Sequence, residues 1–219
     1  EGGSFSTIAL DNYVSDVATE DALIGWVTTG QNNLTVSISS NRVATITAST
    51  NWNGSEVVTF TATDNDGTHP MTGSDAATFM ATPVNDAPVF SSTAITSATE
   101  DVLYSYTVTA SDVDGDALTF AATTLPTWLS FNTSTKVLSG TPLNEHVGSN
   151  SVVLTVIDAF GEEDSQSFTI TVANTNDPPE FSDPPTTPKE TNEDDLFSYT
   201  VIATDVDVGD ALTFAAPTL

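Results

Sequence analysis

Residues 99–120, TEDVLYSYTVTASDVDGDALTF, return almost intact at 192–214 as NEDDLFSYTVIATDVDVGDALTF. A chain that repeats itself over a domain-sized interval is modular, and each repeat unit has to be a fold that closes within that interval. A second pair of copies fixes the interval. The stretch Val-Asn-Asp-Ala-Pro-Val-Phe at 84–90 recurs as Thr-Asn-Asp-Pro-Pro-Glu-Phe at 175–181, so Asn85 and Asn176 are 91 residues apart. That is the size of one immunoglobulin-like sandwich. Proline after Asn-Asp holds the chain extended and bars a helix, which makes these stretches short, stiff linkers.

Three modules follow: residues 1–83, 84–174 and 175–219. In the first, short alternating runs begin at Phe5, Leu34, Arg42, Glu56 and Ala77, separated by Asn-, Gly- and Asp-rich turns such as 51–54 and 64–67. Period-two alternation at strand length without an amphipathic helical pattern predicts antiparallel β-sandwiches. The second module lays out as seven strands. These are A at Val89 and Phe90, B from Tyr104 to Ala110, C through Leu118 and Phe120, and D from Trp128 to Phe131. E follows at Val137 and Leu138, F from Ser151, and G from Phe168 to Val172. Matched to this module, the first begins at the equivalent of Glu100, without linker or first strand. The third covers the N-terminal part of a domain only, and its strands are expected to be loosely ordered or paired with exposed edges.

Running the strands up and down places the acids at two poles. Asp112, Asp114, Asp116 and Asp158 fall at the end nearest the preceding linker; Glu100, Asp101 and Glu145 fall at the other. Head-to-tail stacking gathers Glu1, Asn85, Asp86, Asp112, Asp114, Asp116 and Asp158 at the first junction. At the second it gathers Glu100, Asp101, Glu145, Asn176, Asp177, Asp205, Asp207 and Asp210. So many carboxylates repel one another unless a cation lies among them, and Ca2+, with six to eight oxygen ligands in irregular geometry, suits such a set. Asp-x-Asp-Gly-Asp is also ordinary turn vocabulary, and only the repeated linker beside it favours the metal.

The charge balance points the same way. Arg42, Lys136 and Lys189 face 30 acidic residues, for a net charge of −27. Nucleic acid would repel this chain. Divalent cations would neutralise the charge locally, and adaptation to a saline medium is the alternative account. No Cys is present, so thiolate chemistry and disulfides are excluded, and no apolar run has the length to insert in a membrane.

The Asn-Asp-Ala-Pro linker, Thr-Glu-Asp before strand B, Asp-Val-Asp-Gly-Asp after it, and Leu-Pro-Thr-Trp-Leu-Ser-Phe followed by Leu-Ser-Gly-Thr-Pro together resemble the dystroglycan-type cadherin-like repeats, also called putative Ig repeats, of large bacterial surface and secreted proteins. The likeness covers residues 84–219; the first module is similar to another bacterial cadherin-like repeat, although its stretch from Ser15 lacks the Asp-Gly-Asp form. The resemblance implies Ig-like folds and an extracellular or cell-surface location. It also implies calcium at the linkers, bound by Asn85, Asp86, Glu100, Asp112 and Asp114 and again by Asn176, Asp177, Asp205 and Asp207. Val208, inserted before Gly209, sets Asp210 apart from Asp116. The partners implied are neighbouring repeats and a cell-surface protein or polysaccharide.

Other chemistry has little to stand on. Asp64, Asn65 and Asp66 resemble the start of an EF-hand loop but lack its helices and distant Glu, so they read as a turn. His69 and His146 stand without a nucleophile motif, and the carboxylates have no substrate cleft, so the chain is expected not to be an enzyme. Trp128 belongs to an alternating strand and reads as core. Trp52, between Asn51 and Asn53, is the residue that a carbohydrate-binding accessory module would use, the alternative to a calcium-stiffened spacer and adhesion segment.

Overall fold

Alternation along the strands decides which side chains enter the cores. In the computed structural model, which describes residues 1–16, 23–65, 67–182 and 190–215, the chain divides into two units, 1–85 and 86–219. The stretch containing Glu20 and Asp21, together with Asp66, Lys189 and Leu219, lies outside the described residues.

The first unit contains β1 (Ile8–Ala9), β2 (Gly25–Thr29), β3 (Leu34–Ile38), β4 (Val43–Ala48), β5 (Gly54–Thr63) and β6 (Thr72–Ala81). They form two three-stranded sheets, ordered β1-β4-β3 and β2-β5-β6. Inward positions two apart on β5, Val58 and Phe60, meet Leu34, Ala44 and Ile46 from the other sheet, with Leu10 and Phe79 completing the core. Burying each such Val, Leu or Phe stabilises the fold by about 1.5–3 kcal/mol. The expected run from Phe5 is shorter than its alternation suggests: a one-turn 3-10 helix, Leu10–Asn12, ends it. Conversely β2, a run of five residues beginning at a Gly, is a strand that alternation within the sequence did not single out.

Glu56 also points inward on β5. Its carboxylate accepts backbone N–H groups of Asn32 and Asn33 at the turn between β2 and β3. Burial pushes this carboxyl up, but the N–H groups of Asn32, Asn33 and Leu34 outweigh that and leave it lowered. Nearby Asp11 is lowered by its hydrogen bonds from Arg42, 2.5 and 2.6 Å long.

The second unit follows the seven-strand layout with one strand split in two. Strand A is divided between β7 (Val89–Phe90) and β8 (Ser97–Thr99), and B between β9 (Tyr104–Thr107) and β10 (Ala110–Ser111). Then come β11 (Thr119–Thr124), β12 (Ser130–Asn132), β13 (Val137–Gly140), β14 (Gly148–Ile157) and β15 (Glu163–Ala173). One sheet runs β11-β14-β15-β8, the other β12-β13-β9, and β7 pairs with β10. Strand A therefore crosses from one sheet to the other. Its second half lies parallel to β15, Ser97 opposite Thr171, the one parallel pairing among the described strands of a fold expected to be antiparallel throughout. Tyr104 and Tyr106 from one sheet meet Phe120, Leu154, Val156, Ile170 and Val172 from the other, and Leu138 is fully buried between them. Trp128 packs edge-to-face on Tyr104 at 5.8 Å and donates Nε1–H to Asn150, so it is core, as its alternation suggests. Burial raises the Tyr104 hydroxyl to a pKa of about 12, and that hydroxyl donates to the Ile95 carbonyl. Of the last stretch, β16 (Glu180–Phe181) and β17 (Ala203–Thr204) form a two-residue antiparallel pair.

Candidate metal centre

The acids of the second junction are placed by a tight turn at the start of strand B. Glu100 N–H donates to the Ala173 carbonyl, Asp101 N–H to that of Pro142, and Val102 N–H closes back on Thr99. Asp101 adopts φ 59°, a left-handed conformation that Asp tolerates better than most residues, and Asp194 repeats it at φ 72°. The turn directs Glu100 inward, where it is only 2% exposed, and one of its oxygens accepts the Thr175 N–H at 3.1 Å. Two residues later Asp177 N–H donates to Asp207 Oδ2 at 2.6 Å. Asp207 Oδ1 accepts Asn174 Nδ2 at 2.7 Å and Asn144 Nδ2 at 3.3 Å, and its N–H donates to Asp205 Oδ1. The outcome is two groups, each with ligand oxygens within 4.8 Å of one another: Glu100, Asp101 and Asp177; and Asp205, Asp207 and Asp210. Asp207 joins them.

The same scaffold is built at the other pole of the second repeat. Asp86 N–H donates to Asp114 Oδ2 at 2.8 Å, and Asp114 N–H donates to Asp112 Oδ1 at 2.8 Å, copying Asp177, Asp207 and Asp205. The turn at Gly161, φ 100°, lets three successive N–H groups, of Phe160, Gly161 and Glu162, converge on Asp158 Oδ1. Carboxylate oxygens of Asp112, Asp116 and Asp158 then lie within 4.8 Å of one another. Asp112 Oδ2 is shielded from solvent and accepts no hydrogen bond. A bare, buried carboxylate oxygen facing two further carboxylates is a position that a cation would satisfy.

In the first unit Glu1 takes the part that Glu100 plays in the second. Its Oε2 accepts the Val84 N–H at 2.9 Å, two residues before Asp86, as Glu100 does two residues before Asp177. Glu1 and Asn85 belong to the first unit and the acids from Asp86 onwards to the second.

Three expected residues are placed otherwise. Glu145 is not gathered with the second-junction acids. It lies in a 3-10 turn, Asn144–His146, that turns its carboxylate out toward His146, 3.6 Å away, and offers Asn144 to Asp207 instead. Asn176 directs its amide to the Asp177 carbonyl and is in neither carboxylate group. Trp52 is half-buried against the first core instead of standing free in its loop. Asn144 and Asn174 are absent from the sequence-based set for a clear reason: Asn174 aligns with Pro83 in the 91-residue register, so repetition does not mark it.

Electrostatics follow from the crowding. The Asp116 carboxyl is raised, first by burial and then by Asp112, Asp114 and Asp158. Asp177 is raised by burial, then by Asp207, Asp101 and Asp205. Arg42 is engaged with Asp11, and Lys136 lies over the Phe120 ring at 4.6 Å. The donor sets are all oxygen, carboxylate with amide in support, which matches a hard cation such as Ca2+ and not a thiolate- or imidazole-seeking metal.

A raised carboxyl favours folding while it is protonated, and that contribution is lost as pH rises through its folded-state value. In chelator, Asp116 and Asp177 are therefore expected to make the second unit gain stability as pH falls from neutral toward about 4. Asp11 and Glu56 act oppositely in the first unit, since lowered carboxyls stabilise above the ordinary value and lose that contribution as pH falls through the lowered one. Hydrogen exchange resolved by unit measures both. Protection falling equally in the two units on acidification contradicts this assignment.

Comparison with known proteins agrees with the sandwich architecture. The family described as "Bacterial Ig domain" matches residues 1–80, and the family described as "Putative Ig domain" matches residues 87–173. No curated protein matches. Similar solved structures include an endo-fucoidan hydrolase from glycoside hydrolase family 107, 24% identical, with 70% of this chain and 24% of that one covered at TM-score 0.37. Protocadherin gammaB7 EC3-6 is 21% identical, with 85% and 52% covered, TM-score 0.47. The protocadherin GammaB4 extracellular domain is 22% identical, with 85% and 35% covered, TM-score 0.47. The chain thus spans about a quarter of the hydrolase and about half of the longer-matched protocadherin. It carries two Ig-type repeats in tandem, a bacterial Ig domain followed by a domain of the Putative Ig family.

Proposed function

We propose that this chain is a calcium-stiffened spacer and adhesion segment of an extracellular bacterial protein, with no catalytic role of its own. The observation that carries the reading is the arrangement around Asp207. Acids from the end of one repeat (Glu100, Asp101), from the linker (Asp177) and from the stretch beyond it (Asp205, Asp207, Asp210) come together through hydrogen bonds that already fix the backbone. These residues bind the cation and, in doing so, tie the linker to the repeat on either side of it. Asp112, Asp116 and Asp158 form the second site of the same kind. Without the cation the mutual repulsion loosens the linker, so calcium level sets stiffness. Each carboxylate is held by backbone N–H groups and none faces a substrate cleft, an arrangement for binding an ion and not for moving protons.

Titration calorimetry of the whole chain tests this. Calcium is expected to bind with a Kd of about 10⁻⁴–10⁻³ M, the range of extracellular modules. Asp177→Asn, at the meeting point of three acids, is expected to weaken that binding at least about tenfold. Glu145→Gln, outside both groups, leaves it unchanged. No heat from calcium in the intact chain, or equal weakening by both substitutions, sinks the reading.

A further inference from the structure

The first repeat contains a cavity of about 640 Å³, and the second repeat shows what belongs in such a place. The cavity is lined by Leu10, Trp26, Phe60 and Ala77 together with the first half of β6. Trp26 lies opposite Ala62, the penultimate residue of β5; its counterpart Phe120 lies opposite Val156, the penultimate residue of β14. In the second repeat the corresponding space holds strand A. Phe90 packs edge-to-face on Phe120 at 6.3 Å, and Ala94 packs against the same core.

The sheet edge tells the same story. β15 carries β8 in parallel on its outer side, whereas β6, its counterpart before the first linker, pairs with β5 alone among the described strands. Even the register is marked, since Glu1 N donates to the Thr82 carbonyl as Glu100 N donates to that of Ala173. The Trp26 indole Nε1 is shielded from solvent and has no hydrogen-bond acceptor. An entering strand would supply a carbonyl for it, and a buried donor left unpaired is otherwise costly.

The chain carries the matching piece. Phe181 stands 91 residues after Phe90 in the same Asn-Asp-x-Pro-x-Phe setting, yet it is 57% exposed and its strand is held by a two-residue pairing. We propose that the cavity of the first repeat accepts the Glu180–Phe181 strand of a second copy, Phe181 entering beside Trp26 and the strand running alongside β6. The mode is strand addition, in which main-chain hydrogen bonds give affinity and one side-chain pocket gives register. Donor and acceptor are different surfaces, so the contact is head-to-tail and extends beyond two copies.

The test is sedimentation velocity of the whole chain in chelator, which keeps it separate from calcium binding. From low micromolar to millimolar concentration the average mass is expected to pass twice that of the monomer, with a parallel blue shift of tryptophan emission. Added salt strengthens the association, because each copy carries a net charge of −27. Phe181→Asp, at an exposed position, remains monomeric, and a peptide of residues 84–96 carrying Phe90 dissociates the oligomer. A monomeric mass throughout, or association undiminished in Phe181→Asp, overturns the proposal.

Discussion

In 10 mM calcium the second unit is expected to melt about 10–20 °C above its melting point in chelator, while the first unit shifts little. The size follows from linkage. A site with a Kd of about 10⁻⁴ M, one hundredfold below the ligand concentration, stabilises the state that binds by about 2.7 kcal/mol. Each kcal/mol moves the midpoint of a domain of this size by about 4–8 °C. The asymmetry follows from how each unit satisfies its acids. In the first, Asp11 has the Arg42 guanidinium and inward-facing Glu56 has backbone N–H groups. In the second, Asp112 Oδ2 has neither, and both Asp116 and Asp177 are raised by the acids around them. Calorimetric scans of the whole chain resolve the two transitions. Asp112→Asn is expected to narrow the gap between calcium and chelator, because one buried charge is gone and the site has lost a ligand. A gap that chelator fails to change contradicts the calcium assignment.

Most of the second repeat was legible because its strands obey period two and its poles follow from counting them. Val152, Leu154 and Val156 alternate inward on β14, and the count that puts Asp158 beside Asp112 and Asp116 depends only on each strand reversing the last. What alternation cannot convey is where the backbone turns back. The segment Ser97–Thr99 is small and polar, and its pairing with β15 is parallel, so nothing in its pattern distinguishes it from loop. The 3-10 turn Asn144–His146 reverses which of two neighbouring polar residues faces the site, and composition is silent on that choice. Val208 separates Asp210 from the spacing of Asp116, yet the loop absorbs the extra residue and brings Asp210 to Asp205 and Asp207. Repetition was the better guide for ligands: each hydrogen bond in the Asp86–Asp114–Asp112 set has its copy in Asp177–Asp207–Asp205. Where the copies differ, as at Asn174, that guide is lost.

Gly140→Ala is expected to be the most damaging single methyl group that can be added to this chain, destabilising the second unit by at least about 3 kcal/mol, the upper end for overpacked cores. A Cβ at Gly140 would stand 1.9 Å from the Trp128 carbonyl oxygen, 2.9 Å from its carbon and 3.2 Å from Leu129 Cα. All three are backbone atoms, so no side-chain rotation relieves the clash. Relief requires β13 to leave β9, where Gly140 pairs with Tyr104, or Trp128 to leave its place against Tyr104. The glycine of the Leu-Ser-Gly-Thr-Pro motif is therefore a packing requirement, imposed by the chain crossing above it. The damage reaches the metal-binding pole by a short route. Two residues after Gly140, the Pro142 carbonyl accepts the Asp101 N–H that fixes the left-handed turn, and Tyr104 begins the strand that follows Glu100 and Asp101. Displacing β13 therefore moves Glu100 and Asp101 relative to Asp177. Urea unfolding in chelator measures the stability loss, and calcium titration of the folded fraction measures the second effect. The expected result is both a lower midpoint and weaker binding, whereas Gly161→Ala, in open space at φ 100°, is expected to lose about 1–2 kcal/mol from backbone strain alone. Equal midpoints for the two variants rule out the close approach at Gly140.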